Sequence, residues 1–186
     1  MNAVEIMNEE HIYITRMLKV VRKVCLNILQ GEQINYDEFY LIIDFIREYS
    51  DEHHHKKEEK ILFKKMIENL GETAENVVKH GMMVEHDLGR LYIRNLSESI
   101  EKVKNGDEEA KLDVIANAVS YTNLLERHID KEDRVIYTYA QRELGKNILE
   151  EIDIECLDFE ANNTDVKDRC ILTLEILENK YFENIN

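Results

Sequence analysis

The sequence lacks several features that mark other protein classes. It has no proline, and proline breaks helices, so 186 residues without one predict a mostly helical chain. Its three cysteines, Cys25, Cys156 and Cys170, form no Cys-x-x-Cys pair, which predicts reduced, mostly buried thiols rather than disulfides or a thiolate metal site. No apolar run approaches the ~18–20 residues of a membrane span, and the N-terminus lacks the basic start and apolar core of a signal peptide. These absences predict a cytoplasmic protein.

Positive charge is also scarce. The chain has 24 lysines and arginines against 39 aspartates and glutamates, which gives a formal net charge of −15. A chain this acidic repels nucleic acid and anionic lipid, so neither is expected as a partner. The hydrophobic share of 44% and the charged share of 34% are typical of a globular chain, and the length predicts one domain with an extension.

Four long segments repeat apolar residues at alternating three- and four-residue steps, a pattern that predicts helices. Their predicted bounds are 2–29, 36–70, 73–104 and 108–143, and shorter helical patterns follow at about 146–160 and 165–183. Because short turns join the long helices, neighbouring helices are expected to be antiparallel. The predicted fold is therefore all-α, an up-down-up-down four-helix bundle with two additional C-terminal helices.

The last part of the chain is predicted to have a packing role. Residues 1–143 are expected to form the bundle, and residues 144–186 a helical extension without metal-ligand motifs. The stretch VKDRCILTLEILENKYF within this extension has enough apolar surface to pack on the bundle or to form a dimer. A monomer or a homodimer is expected.

Polar residues interrupt the apolar stripes of the predicted helices. They are His11 on the first helix, His86 on the third, and His128 with Glu132 on the fourth. One such histidine alone is most often a hydrogen-bonded core residue. Counted from the turns, however, these residues and His54 lie at one level to within roughly 3 Å, at about 1.5 Å per residue. All four helices are therefore predicted to present metal-ligand side chains to one level of the interior.

The second helix offers three consecutive histidines, residues 53–55, in the stretch DEHHHKKEEKILF. The segment HHKKEEKILF at 54–63 is similar to HIDKEDRVIY at 128–137, and both copies carry a histidine followed four residues later by a glutamate. Residues four apart lie one above the other on a helix, so each unit aims an imidazole and a carboxylate at one point. The repeat favours His54 with Glu58 as ligands.

The two neighbouring histidines are expected to play other roles. His53 and His55 lie about 100° to either side of His54 on a helix, so they are expected to be solvated or to lie behind the ligands. An alternative register, His55 with Glu59, stays open because the apolar pattern of the second helix is less regular before residue 50.

The predicted ligand set combines four imidazoles and two carboxylates, which suits two metal ions. Burying two carboxylates without a metal would be costly. Imidazole and carboxylate ligands without thiolate favour iron or manganese, with zinc possible. The six predicted ligands are His11, His54, Glu58, His86, His128 and Glu132.

Four ordered motifs in residues 1–143 resemble the hemerythrin-like family, the HHE cation-binding domains. The motifs are EEHIYI around His11, the two copies of the repeat, and HGMMVEHDLGR at 80–90. The resemblance implies a four-helix bundle around a non-haem di-iron centre with an oxo or hydroxo bridge, ligated by the six residues already named.

The sequence departs from the oxygen-carrying members of that family. Those proteins use more imidazoles, including two histidines four apart on the third helix, whereas here Met82 and Arg90 stand four residues to either side of His86. The arrangement is similar instead to the branch with an H, HxxxE, H, HxxxE pattern. Simple reversible oxygen carriage is therefore not the first expectation.

Other polar residues near the ligands have proposed roles. Arg90 and Tyr121 are candidate catalytic residues that could donate protons or polarise an oxidant, since Tyr121 lies two turns before His128 on one stripe. Tyr121 could equally be a phenolate ligand or a core residue. His80 is expected behind the ligands, and Asp133 is expected to replace or assist the carboxylate before it.

These observations favour a non-haem di-iron protein that reacts with oxygen, peroxide or nitric oxide. Whether it is an enzyme, an oxidoreductase supplied by an electron donor, is left open by the sequence. The alternative is a reversible oxygen or nitric oxide sensor, or an iron-storage protein, without turnover. A structural zinc bundle is a third reading, against which the absence of cysteine ligands counts. The expected partner is a small diatomic gas or peroxide.

Overall fold

The computed structural model describes residues 1–183, and all of its regular structure within that range is helical. The first helix, α1, spans Ala3–Leu29. It begins at Asn2, whose side chain accepts a hydrogen bond from the Glu5 amide at 2.9 Å, while the Glu5 carboxylate accepts one from the Asn2 amide at 2.8 Å. This reciprocal cap satisfies amides that a helix start leaves unpaired, which fixes the first turn.

The remaining helices within the described range are α2 to α6, and several contain wider π-helical turns. Helix α2 covers residues 36–70 and consists of Tyr36–Phe45, the π-helical Ile46–His55 and Glu58–Leu62, and Phe63–Leu70. Helix α3 covers 72–104 and consists of Glu72–Val77, the π-helical Val78–Met82, and Met83–Lys104. Helix α4 covers 110–143 and consists of Ala110–Lys131, the π-helical Glu132–Ile136, and Tyr137–Glu143. Helix α5 is Lys146–Asn162, and α6 is Thr164–Glu178 followed by the π-helical Asn179–Glu183.

The all-helical prediction is confirmed, and the predicted bounds of the long helices lie within two residues of the observed ones. Gly31 and Gly106 follow α1 and α3 with φ angles of 100° and 98°, a left-handed conformation that glycine adopts without steric cost. These glycines end the helices where the apolar patterns stop.

Two apolar cores lie on either side of a polar layer. One contains Met7 of α1 and Phe63 of α2, and the other contains Ile14 of α1 and Phe39 of α2. On each of the four long helices, the predicted ligands lie at the transition from the part that enters one core to the part that enters the other. The polar layer is therefore enclosed by packed apolar side chains at both ends.

The two C-terminal helices pack against the first two long helices. Helix α5 contacts α1 and the Glu58–Leu62 segment, and α6 contacts α1 and the first half of α2. The division of the chain at residue 143 stays a prediction, as does a homodimer. Cys25, Cys156 and Cys170 are buried and free, as predicted. Among the residues described, no helix is both long and apolar enough to cross a membrane.

Candidate metal centre

A first pair of imidazoles joins α1 to α2. The Nε2 atoms of His11 and His54 lie 2.8 Å apart, and both side chains are buried. Each ring uses its other nitrogen to donate a hydrogen bond to a carboxylate: His54 Nδ1 to Glu10 Oε2 at 2.9 Å, and His11 Nδ1 to Asp133 Oδ1 at 2.6 Å. Since an ionised carboxylate only accepts hydrogen bonds, both Nδ1 atoms carry a proton, and Nε2 is the inward-facing nitrogen of each ring.

A second pair of imidazoles repeats this arrangement between α3 and α4. The Nε2 atoms of His86 and His128 lie 3.0 Å apart. His86 Nδ1 donates to Glu59 Oε1 at 2.7 Å, and His128 Nδ1 donates to Glu85 Oε2 at 2.9 Å. The two nitrogens again lie at the separation expected for two neighbouring ligands of one metal ion. That separation is about 3 Å when each metal–nitrogen bond is ~2.1 Å long and the two bonds meet at a right angle.

The two halves of the centre correspond through the internal repeat. His54 and His128 occupy equivalent positions, and each receives its partner from the preceding helix in the chain. The carboxylates behind them also correspond, since a lysine of the same repeat contacts each one: Lys57 on Glu10 and Lys131 on Glu85. The two lysines differ in exposure, because Lys57 is fully buried whereas the Lys131 side chain is 44% exposed.

Two fully buried glutamates lie between the imidazole pairs. Glu58 Oε2 is 3.7 Å from His54 Nε2 and 3.5 Å from His86 Nε2. Glu132 bridges in the same way, with Oε2 3.4 Å from His11 Nε2 and Oε1 3.0 Å from His128 Nε2. These three oxygens have no hydrogen bond of good geometry within residues 1–183. All six ligands that the sequence predicts are thus brought together in one buried layer.

Without a metal ion, burial and neighbouring charges shift the pKa values of the side chains in this layer. Burial and the neighbouring Glu132 carboxylate raise the pKa of Glu58 to about 8. Burial alone would also raise the pKa of Glu132, but the positively charged His128 and the close nitrogens of His11 and His86 hold it well below its usual range. Burial and the charge of His11 lower the pKa of His54 to about 4. Without a metal, one carboxylate of the pair therefore keeps a proton at neutral pH.

The structure also places His55 in the centre. His55, Glu58, His86 and His128 each offer an atom within 4.8 Å of the others, while His11, His54, Glu58 and Glu132 form a second such group. His55 Nδ1 lies 3.2 Å from Asp51 Oδ1, and its Nε2 is buried and unpaired. The expectation that His55 is solvated or lies behind the ligands is wrong, because α3 packs against its side of α2 and brings His86 to 3.9 Å between ring centroids.

His53, the first histidine of the run, has a different environment. His53 is buried rather than solvated, because α5 covers it: its Nε2 lies 3.1 Å from Glu10 Oε1 and 2.9 Å from Glu160 Oε1. The ammonium group of Lys57 contacts both carboxylates. This group of two carboxylates and one imidazole already contains a cationic side chain, so it does not resemble a vacant metal site.

Tyr137 is the residue that the sequence analysis missed. Its hydroxyl donates a hydrogen bond to Glu58 Oε1 at 2.5 Å, and its ring stacks on His11 with centroids 5.6 Å apart. The repeat contained a signal for it, because Tyr137 is equivalent to Phe63, which stacks on His86 in the other half. Because the second copy of the repeat has a tyrosine where the first has a phenylalanine, only that copy places a hydroxyl group near the glutamates.

The other candidates lie outside the converging ligand atoms. Arg90 donates to Asp51 Oδ1 at 2.6 Å and to Glu59 Oε1 at 2.8 Å, so its charge supports the carboxylate behind His86. Tyr121 is buried, and its hydroxyl contacts none of the six ligands. His80 is exposed, so the expectation that it lies behind the ligands is wrong; its helix face points away from the bundle.

The donor set fits metal ions. Converging imidazole lone pairs repel each other unless a cation or a proton lies between them, and unpaired buried carboxylate oxygens are costly. The inward-facing atoms include no thiolate, and they match the imidazole and carboxylate ligation of iron or manganese.

Comparison with protein families agrees with this geometry. The family model described as the hemerythrin HHE cation binding domain matches residues 2–140, about three quarters of the chain. Comparisons with curated proteins and with solved structures gave no significant match.

Proposed function

Because the chain belongs to the hemerythrin HHE cation-binding domain family, we propose that its polar layer holds two iron ions in a non-haem dinuclear centre. One ion would be held by His11 and His54, and the other by His86 and His128, with Glu58 and Glu132 shared between them. His55 adds a third imidazole on the side of the second ion. The order in which the long helices pass between the two cores supports an up-down-up-down bundle around this centre.

The observation that carries the proposal is the pair of short Nε2–Nε2 distances, 2.8 and 3.0 Å, in a fully buried layer. Carboxylates hold a proton on Nδ1 of all four rings, so the Nε2 atoms of each pair face each other, and such a contact is favourable only with a proton or a metal ion between the two nitrogens. Such carboxylate partners also orient metal-binding histidines and make them more basic. The chain thus has both the inner ligands and the groups that support them.

We further propose that the centre reacts with oxygen, peroxide or nitric oxide rather than carrying oxygen reversibly. Iron ions would supply the redox equivalents, and carboxylate-rich ligation favours their higher oxidation state. The chain itself supplies a proton at the centre, since the Tyr137 hydroxyl donates to Glu58 Oε1. A reversible gas sensor or an iron store is the second candidate, because α5 covers the side of the layer where Glu160 contacts His53 and so limits access from that side.

The experiment is to reduce the iron-loaded protein without oxygen and then admit oxygen or, separately, hydrogen peroxide. We expect rapid and lasting oxidation of the iron, and measurable peroxide consumption, followed by absorption and by a peroxide assay. A colour change that reverses when oxygen is removed would favour the sensor. Iron-loaded protein that reacts with neither oxidant nor with nitric oxide would point to storage.

The Tyr137→Phe substitution tests whether the hydroxyl takes part. Iron content is expected to stay near the wild-type value, because Tyr137 acts through Glu58 and the ring that stacks on His11 is retained. Peroxide consumption should fall by about 10-fold or more, the lower range for loss of a positioned proton donor.

The matched control is Tyr139→Phe, two residues away on the same helix and only partly buried, which should leave the rate unchanged. Equal rates in the two variants would remove Tyr137 from the reaction. Loss of iron from Tyr137→Phe would instead show that the hydroxyl is needed to hold the glutamate in place.

A further inference from the structure

A cavity of about 290 Å³ lies beside the second imidazole pair, between α2, α3 and α4. His55 and His86 form part of its wall next to the centre. Ile46 and Ile93 line it, and Tyr121 closes another side. It is therefore a mainly apolar space that begins at residues of the proposed centre.

The cavity is too large for a diatomic gas alone. A water molecule occupies about 30 Å³ of liquid, so a gas molecule would leave most of this space unfilled. Sites for small organic molecules begin at about 300 Å³ and are apolar with a few polar groups. The size therefore fits a small organic molecule with an apolar body.

The positive charge of the cavity lining favours a negatively charged ligand. Arg47, Arg90 and Arg94 line the cavity against one carboxylate, Asp51, so the lining carries a formal charge of +2 in a chain of −15. Arg90 is held by Asp51 and Glu59. Arg47 and Arg94 are exposed and form no ion pair within residues 1–183, so both guanidinium groups can accept an anionic partner. Planar guanidinium groups are well suited to carboxylates.

The wall also carries a buried polar group without a hydrogen bond. Tyr121 is 2% exposed, and its hydroxyl has no hydrogen-bond partner of good geometry in the described part of the chain. Buried hydroxyls are normally paired, and the neighbouring Ser50 hydroxyl is likewise buried without a partner of good geometry within residues 1–183.

We propose that this cavity binds a small organic monocarboxylate, with its carboxylate at Arg47 and Arg94 and its apolar body between Ile46 and Ile93. This site goes beyond the proposed iron chemistry, since the arginines and isoleucines form it whether or not metal is bound. It gives the centre a neighbouring ligand whose class differs from gas and peroxide.

The test uses benzoate as the probe and benzamide, its neutral counterpart, as the matched comparison. Saturation-transfer NMR on the full chain, in zinc-loaded and metal-free forms, should show benzoate binding that weakens as salt rises. The double substitution Arg47→Gln with Arg94→Gln should weaken benzoate binding about 10-fold, as expected for the loss of about 1.4 kcal/mol. Arg142→Gln, an exposed arginine outside the cavity, should leave it unchanged.

The proposal would be overturned if benzamide bound as strongly as benzoate, or if the double variant and the Arg142 control bound benzoate with equal affinity. Absence of benzoate binding to both forms would do so as well. Circular dichroism and thermal melting verify that the double variant is folded. Iron content is measured separately on the same chain purified from iron-supplemented cells, so a chain that binds benzoate but no iron would refute the proposed function and leave this site intact.

Discussion

Glu58→Ala is expected to remove both metal ions, whereas His54→Ala is expected to remove one of about two per chain. Glu58 belongs to both groups of converging ligands, while His54 belongs only to the group that contains His11. His55→Ala should weaken the ion on the other side, because His55 belongs to the group that contains His86. Metal analysis of protein purified from iron-supplemented cells, with one set of conditions for all variants, measures these differences.

Two controls make the result specific. His53→Ala should retain both ions, because His53 contacts Glu10 and Glu160 rather than the converging nitrogens. Glu98→Gln, an exposed carboxylate on α3, should also retain them. If His55→Ala loses metal while His54→Ala does not, the alternative register is correct. If Glu58→Ala retains two ions, Glu58 is not a ligand that both ions share.

Removal of metal is expected to lower the melting temperature by roughly 8–16 °C for each ion removed. An ion that binds only the folded chain stabilises it by about 4 kcal/mol at a free concentration 1,000 times its dissociation constant. For a chain of this size each kcal/mol corresponds to about 2–4 °C. The metal-free chain must also bury Glu58 and Glu132 beside each other, with burial raising the pKa of Glu58 to about 8. Scanning calorimetry with and without a chelator, followed by re-addition of iron, checks the size and the reversibility of the change.

The variant Glu58→Ala supplies the control for this measurement, because a chain without metal should melt at the same temperature with and without chelator. Equal melting of the wild-type chain under both conditions would contradict a buried metal site.

The periodic parts of the structure could be predicted from the sequence. Apolar steps located the long helices, and level counting placed His11, His86 and His128 in one layer, which the structure also shows. The surroundings of His53 and His55 could not be predicted, because burial depends on which helices pack beside α2. The 100° step from His54 predicts the helix face on which each histidine lies. Whether that face is buried or exposed to solvent depends on the packing of α3 and α5 against α2.

Tyr137 shows a different limit. Comparing the two repeat copies by their ligands draws attention to histidine and glutamate, and the tyrosine nine residues after the histidine looks like a core aromatic residue. Its role follows from its hydroxyl reaching Glu58 on another helix, a contact between distant segments that no local pattern encodes.

The unequal burial of the two lysines behind the centre has a kinetic consequence. An ion leaves a buried site only after water or a chelator reaches its ligands. Beside His128 this route crosses Glu85 and the half-exposed Lys131, which a side-chain movement can open. Beside His54 it crosses Lys57, which Glu10 and Glu160 hold in place beneath α5, so this route is expected to open less often. If the layer holds the two proposed ions, we therefore expect the ion beside His54 to dissociate more slowly than the ion beside His128, because α5 covers only the first of these positions.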